Sequence, residues 1–322
     1  MNTGNHTDTS MPLTVTDVQD LADGIRGFTL AQPDGTALPA FTAGSHVKVQ
    51  TPSGSVRKYS LCSNPFELDT YRIAVKREDG GQGGSLSMHQ QLKVGDTLPT
   101  SAPDNAFPMA ENARSHLFIA GGIGITPMLA MIQSLEHEDL GVPWKLIYLS
   151  RDAAYTAFVH DLKAYGRRVT VHHDHGDPAN SFDLWPALEK PAVGQHVYCC
   201  GPRPLMEAVR DMTGHWSAKQ VHFESFAEGG EVKPDDKPFT VQLASSGKSF
   251  EVPVGRSILA TLREHGLDTP SSCESGTCGT CRTRLLEGEV DHRDMVLMPE
   301  EMDTQIMICV SRAKSDRLVI DL

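Results

Sequence analysis

A loop near the end of the chain reads Cys273-Glu-Ser-Gly-Thr-Cys278-Gly-Thr-Cys281, and a fourth cysteine, Cys309, follows well downstream. No other stretch constrains the fold so tightly. Three cysteines in one C-x4-C-x2-C turn, with one arriving from far away, is the spacing that holds a plant-type 2Fe-2S cluster. Such a cluster passes one electron at a time. Its sulfurs are electron-rich and need N–H donors. Gly276 and Gly279 let the backbone curl so that its amides face inward. Cys278-x2-Cys281 alone would also suit zinc, but zinc sites usually pair two short hooks of this kind. Disulfides need an oxidising compartment, to which nothing in the sequence points. The spacing therefore favours Cys273, Cys278, Cys281 and Cys309 as iron–sulfur ligands. Cys62, Cys199 and Cys200 remain, and their default reading is as buried, reduced small hydrophobes.

The rest of the chain should supply the electrons. Its 322 residues are enough for two or three domains. With 39% apolar and 22% charged residues it reads as an ordinary globular chain. No apolar run approaches the roughly 18 residues of a membrane span. Residues 1–10 are polar and lack a signal-like hydrophobic core, which leads us to expect a cytoplasmic address. A net charge of −12 argues against nucleic acid or an anionic membrane as partner.

Three segments are visible, with no internal repeat. Residues 1–110 read as short alternating strands broken by Gly and Pro, for example 45–50 and 71–77, which suggests an antiparallel β-barrel. Residues 111–227 change to buried strands (117–120, 145–149, 169–172, 195–199) alternating with helices (126–136, 204–212), a βαβ parallel sheet. Residues 228–237 are Gly-, Pro- and acid-rich and read as a linker. Residues 238–322 form an α+β segment. It opens with a hairpin (240–244 and 249–254), continues with a helix (257–265) and the cysteine loop, and closes with a strand (318–321).

Four motifs precede the cysteine loop. Arg57-Lys58-Tyr59-Ser60-Leu61 lies on a barrel strand, and alternation puts Arg57, Tyr59 and Leu61 on one face; taken alone, it reads most simply as a sheet face with one exposed Arg. Gly80-Gly81-Gln82-Gly83-Gly84-Ser85 feeds a helix at 86–92. Backbone N–H groups at a helix start suit a phosphate, and a flexible turn explains the run equally well. Gly121-Gly122-Ile123-Gly124-Ile125-Thr126-Pro127 sits between a strand and a helix, without the dinucleotide fingerprint or a P-loop lysine. Cys200-Gly201-Pro202 ends a later strand of the same sheet. Small-residue breaks at two strand ends favour a nucleotide cleft over a purely structural pair of turns.

Taken in order, these motifs resemble the ferredoxin–NADP reductase superfamily. With a plant-type ferredoxin segment at the C-terminus, the chain is most similar to its phthalate dioxygenase reductase family. Long strings carry the resemblance: Val171-His-His-Asp-His-Gly-Asp177, His196-Val-Tyr-Cys-Cys-Gly-Pro202, Val221-His-Phe-Glu-Ser-Phe226 and Asp291-His-Arg-Asp-Met295. The resemblance implies an FMN-binding β-barrel, an NADH-binding α/β domain and a β-grasp ferredoxin domain in one polypeptide. It implies that Arg57, Tyr59 and Ser60 contact FMN, that Ala74, Val75 and Lys76 line the isoalloxazine edge, and that Gly83, Gly84 and Ser85 hold the FMN phosphate. Gly121, Gly122, Gly124, Cys200, Gly201 and Pro202 would shape the NADH cleft. Thr126 would sit near the nicotinamide, Phe226 would cover the flavin, and Ser275 would reach its edge. FMN rather than FAD is expected because the chain runs on past Phe226 into the linker.

The implied function is that of an NADH-dependent reductase feeding a Rieske-type terminal oxygenase, the phthalate dioxygenase oxygenase component, directly; the alternatives are the same chemistry serving another Rieske oxygenase, of the vanillate O-demethylase or carnitine monooxygenase type, or a non-catalytic nucleotide-binding protein with a structural zinc. A flavin is needed because NADH gives two electrons at once and the cluster accepts one. No acid–base residue is required, since positioning dominates a hydride step. Cys200 and Glu224 are read equally as nicotinamide-pocket or structural residues. Arg151 is a candidate cation near the nucleotide; Asp174 and Asp177 would repel a 2′-phosphate if they lay near the ribose. His172, His173 and His175 read as a polar strand end rather than a metal site. The ferredoxin segment carries nine Lys/Arg against thirteen Asp/Glu, a mildly acidic docking face at most. A monomer is expected.

Overall fold

Strand periodicity in the first hundred residues builds one antiparallel sheet. The structure, a computed structural model, describes residues 10–81, 83–226 and 232–322. They divide into two compact units, residues 1–222 and 223–322. The first unit opens with β1 (Met11–Ala22), β2 (Ile25–Ala31), β3 (His46–Gln50), β4 (Val56–Ser60) and β5 (Tyr71–Lys76). Helix α1 (Gly84–Gln91) and β6 (Thr97–Thr100) follow. The sheet order is β4-β3-β6-β1-β2-β5. A bridge between Leu61 and Ile73, with the Cys62 N–H donating to the Arg72 carbonyl at 2.9 Å, ties the end of β4 to β5 and closes the barrel. Alternation along β5 sends Tyr71, Ile73 and Val75 inward, all fully buried.

The same unit continues into a parallel sheet. Its elements are β7 (Ser115–Gly121), α2 (Ile125–Glu138), β8 (Trp144–Ser150), α3 (Val159–Leu162), β9 (Val169–His173), α4 (Trp185–Leu188), β10 (Gln195–Cys200), α5 (Arg203–Met212) and β11 (Val221–Glu224). The order β11-β10-β7-β8-β9 places the first strand of this sheet at its centre. β7 pairs in parallel with β8 on one side and with β10 on the other. Chain order therefore reverses between β7 and β10, which is where open α/β sheets bind nucleotides at their carboxyl ends. Barrel and sheet share one core: Ile25, Ala43, Cys62, Ala74 and Phe107 pack with Phe118, Ala120, Ile125, Met128 and Met131. The expected strands and helices all form, within a few residues of the ends read from periodicity. The irregular stretch between β8 and β9, where α3 runs into a kinked 3-10 segment at Gly166, carries no periodic signal and was not anticipated.

The second unit is a mixed sheet with a helix. Strands β12 (Phe239–Leu243) and β13 (Ser249–Val252) make the expected hairpin, α6 (Ile258–Glu264) follows, and then come β14 (Arg282–Glu287), β15 (Val290–Asp291), β16 (Gln305–Met307), β17 (Arg312–Ala313) and β18 (Arg317–Ile320). The order is β13-β12-β18-β14-β16, with β12 and β18 parallel and the other neighbours antiparallel. β15 and β17 form a separate ribbon. Ser257 caps α6 by accepting from the Ala260 N–H. Ile258, Leu259 and Leu262 put the buried face of α6 into the sheet's core. Of the expected linker, residues 227–231 lie outside the described residues. Lys233 and Asp236 are ion-paired within the second unit.

A histidine row crosses the parallel sheet. His116 on β7 is in register with His196 on β10, and His196 Nδ1 lies 2.9 Å from His222 Nε2 on β11. The Tyr198 ring stacks on His222 at 4.4 Å. Burial pulls His116 down to about 4, helped by the neighbouring His196, and burial likewise pulls His222 down to about 4. Both values lie below that of an unfolded histidine, so the unfolded chain takes up these protons first. The resulting stability is complete above about pH 6.5 and is lost as pH falls toward 4. All three tryptophans (Trp144, Trp185 and Trp216) belong to residues 1–222 and report on that unit alone. The urea midpoint read by tryptophan fluorescence should fall between pH 7 and pH 5, with a loss on the order of 1–3 kcal/mol. A flat profile would contradict it.

Candidate active site

The cleft at the strand-order reversal is made by two turns in backbone contact. A Cβ on Gly124 would lie 2.1 Å from the Cys200 carbonyl oxygen, and one on Gly121 would lie 2.6 Å from the Pro202 ring. A Cβ on Gly201 would meet Gly121 Cα at 2.9 Å. Three glycines of the two motifs thus let the ends of β7 and β10 touch. The turn at Gly122 has a positive φ of 55° and faces open space. Beyond it α2 begins, with Thr126 buried and its hydroxyl donating to the Ile123 carbonyl at 3.0 Å. Cys200 is buried at the strand end. A cavity of about 640 Å³ lies at the opposite, amino-terminal edge of the sheet near His116, Trp144 and Arg168, away from this cleft.

A second constellation sits on the barrel. Gly83 opens α1 in a left-handed conformation. The side chain of Arg57, on β4, lies against the next residue, so a Cβ on Gly84 would be 3.1 Å from Arg57 Nε. A guanidinium and the first N–H groups of a helix therefore stand together, the donor set that suits a phosphate. The Ser85 hydroxyl accepts from the Glu78 N–H at 3.0 Å and closes the preceding loop. Ser60, at the end of β4, is 4% exposed and its Oγ has no hydrogen-bond partner within the protein. Buried polar atoms rarely go unsatisfied, so a polar ligand group fits there. These residues fit a flavin mononucleotide. Tyr59 is half-buried against the barrel core. Ala74 and Val75 have buried side chains, so any contact they make with a ligand is through the backbone. Lys76 is paired with Glu78 at 2.6 Å. Sequence reasoning passed over His89, whose Nε2 lies 2.8 Å from the Val75 carbonyl and ties α1 to β5.

In the second unit the four cysteines stand two and two. Cys273 hydrogen-bonds with Cys278, and Cys281 with Cys309. The Cys278 thiol, with Thr277 and Ser275 donating, holds Cys273 down to about 4; the Cys309 thiol holds Cys281 down in the same way. Ser275 N–H and Thr277 N–H both point at Cys273 Sγ from 3.5 Å. Gly276 is held at φ 74°, and a Cβ there would lie 2.6 Å from Val310. Ser275 is buried in the loop. Among the described residues no three or more His, Cys, Asp or Glu side chains are arranged to hold a single metal ion. Two thiolate pairs suit a centre with two irons, each taking two sulfurs. Phe226, just past β11, is 44% exposed. His172, His173 and His175 each find a separate partner, in Asn180, Thr156 and Asp152. Asp174 and Asp177 cap local turns through Gly176 and Ala179.

A barrel with a phosphate cradle, a nucleotide cleft and a paired-cysteine loop define a flavin- and iron–sulfur-containing oxidoreductase. Comparison with known proteins agrees. Residues 241–314 match the 2Fe-2S iron-sulfur cluster binding domain family. The chain is 52% identical over 305 residues to the phthalate 4,5-dioxygenase oxygenase reductase subunit of Pseudomonas putida, covering 94% of each chain. It is 51% identical over 312 residues to phthalate dioxygenase reductase of Burkholderia cepacia, covering 96% of this chain and 97% of that one. A solved structure of a phthalate dioxygenase reductase, described as modular and transferring electrons from pyridine nucleotides to a 2Fe-2S centre, superposes with a TM-score of 0.76 at 50% identity over 98% of both chains. The chain belongs to the phthalate dioxygenase reductase family. It is an NADH-dependent oxidoreductase that uses FMN and a 2Fe-2S cluster and serves an oxygenase.

The Gly124 contact can be tested directly. Gly124→Ala forces a methyl into a carbonyl and should cost at least about 1–3 kcal/mol through overpacking. Urea unfolding followed by tryptophan fluorescence reads that loss. The KM for NADH with an artificial acceptor should rise as the two turns separate. Unchanged stability would show that the turns yield freely.

Proposed function

We propose that this chain is the reductase of a Rieske-type aromatic-ring dioxygenase, the phthalate 4,5-dioxygenase system, and acts as a cytoplasmic monomer. The identity of about half of all positions to two phthalate reductases, over nearly the full length of each, is the observation that carries this reading. No helix of the described residues is long and apolar enough to cross a membrane. NADH occupies the cleft between the Gly121–Gly124 turn and the Cys200–Pro202 turn. No acid or base is needed there because the reaction depends on alignment. Arg57 and the start of α1 hold the FMN phosphate, and Ser60 satisfies its buried hydroxyl on the flavin. Bound FMN supplies the conversion of a two-electron donor into single-electron steps. Cys273 and Cys278 hold one iron, Cys281 and Cys309 the other. Ser275 and Thr277 N–H groups steady the sulfur of Cys273.

Under anaerobic conditions NADH should bleach both the flavin and the iron–sulfur absorbance of the loaded protein. Cys309→Ser should leave flavin bleaching intact and drop electron delivery to an external one-electron acceptor of the cluster to background. Undiminished delivery by that variant would overturn the ligand assignment. Turnover with the oxygenase component of a phthalate dioxygenase, compared with that of an aromatic O-demethylase, tests the partner.

A further inference from the structure

A buried charge network runs behind the cluster loop. Asp236 accepts from Arg293 through both carboxylate oxygens, the Nη1 bond being 3.1 Å long. Arg293 Nε also reaches Asp291 at 2.7 Å, and Lys233 Nζ reaches both Asp291 oxygens at 3.0 Å. Arg312 Nε stands 3.8 Å from Asp236, while its Nη1 donates to the Arg256 carbonyl and its Nη2 to the Lys237 and Pro253 carbonyls. The side chains of Arg293, Asp236 and Arg312 are 3%, 5% and 6% exposed, so solvent screens them little. Three cations face two carboxylates.

The network touches the backbone that frames the cysteines. Asp291 on β15 is in register with Arg312 on β17. Arg312 is three residues after Cys309, which bounds their Cα separation at about 11 Å. On the other side, Arg293 N–H donates to Ser311 Oγ at 3.4 Å, and the next residue, Asp294, lies against Gly276. Met295 N–H then donates to the Gly276 carbonyl at 2.9 Å. Asp294 is itself buried, its Oδ2 accepting from the Val296 and Leu297 N–H groups.

We propose that Lys233, Asp236 and Arg293 are positioning residues for the iron–sulfur centre. The network fixes residues 233–237 to residues 291–293, presses residues 293–295 onto the cluster loop, and sets the local potential felt by an added electron. This rests on the reading that Cys273, Cys278, Cys281 and Cys309 hold the cluster. A merely structural clamp and an electrostatic one differ in sign. Removing a carboxylate leaves surplus positive charge and makes reduction easier, whereas removing a cation makes it harder.

The test is a potentiometric titration of the loaded full chain, with iron and acid-labile sulfide counted on the same sample. Asp236→Asn should raise the reduction potential and Lys233→Gln should lower it. Each should change the one-electron equilibrium by two- to tenfold, up to ~59 mV. Arg293→Lys, which keeps the charge but loses the bidentate fit, should stay near the wild-type potential and release iron at lower urea. Potentials that do not move, or that move together, with iron and sulfide at full content overturn the proposal. If Asp236→Asn fails to load iron, the half-exposed Lys233→Gln decides: a lowered potential supports the proposal and an unchanged one overturns it. Failure of the wild-type chain to hold iron and sulfide would instead overturn the cysteine reading.

Discussion

The backbone contact between the ends of β7 and β10 is the constraint on which the nucleotide site depends. Parallel strands on either side of a reversal in order diverge into helices on opposite faces, leaving a crevice at their carboxyl ends. How deep that crevice is depends on how closely the two turns approach. Gly124 against the Cys200 carbonyl, and Gly121 against Gly201 and Pro202, bring the turns into contact. A side chain at either glycine would wedge them apart. The contact is anchored from below by the core shared between barrel and sheet, in which Phe118 and Ala120 on β7 pack with Ala74 on β5 and Met128 on α2. The Arg57–α1 constellation and the β7–β10 cleft therefore belong to one packed unit.

The electrostatics of the two units differ in kind. In the first unit, the ligand-facing groups of the cradle are one guanidinium, helix N–H groups and a hydroxyl without a protein partner. That donor set suits an anion. In the second unit, charge is paired internally: the Asp236–Arg293 pair is almost wholly buried. Burying such a network costs desolvation that its pairing must offset, so networks of this sort are often no more stable than apolar packing. Its place beside the cysteine loop, with Asp294 against Gly276, is what the proposed positioning role would use.

The elements with clean periodicity were legible from sequence: β3, β5, β7 through β10, α2, α5 and the β12–β13 hairpin lie where alternation and apolar runs put them. The 2Fe-2S domain was legible because three cysteines share one loop. The irregular chain between β8 and β9 and the β15–β17 ribbon were not, since two-residue strands and 3-10 turns leave no repeat to count. The glycine run near α1 was ambiguous because its meaning depends on Arg57, which comes from a different strand. The tie between residues 233–237 and the ferredoxin segment was hidden for the same reason. A Gly-, Pro- and acid-rich stretch reads as linker, yet Asp236 finds Arg293 57 positions away. Local composition reports solvation, and it cannot report a partner at that distance.

The two-and-two cysteine arrangement bears on the order in which the second unit is assembled. Cys273, Cys278 and Cys281 belong to a single turn, while Cys309 is delivered by the chain after β16. The turn alone can present a complete cysteine pair only for the Cys273–Cys278 side. The Cys281–Cys309 side forms once β14 and β16 have paired, because their register, Arg282 opposite Met307, sets the spacing between the two cysteines that flank it. Both Cys281 and Cys309 are buried, whereas Cys273 and Cys278 are half-exposed. If these pairs hold the cluster as proposed, the Cys273–Cys278 side would be the one nearer solvent.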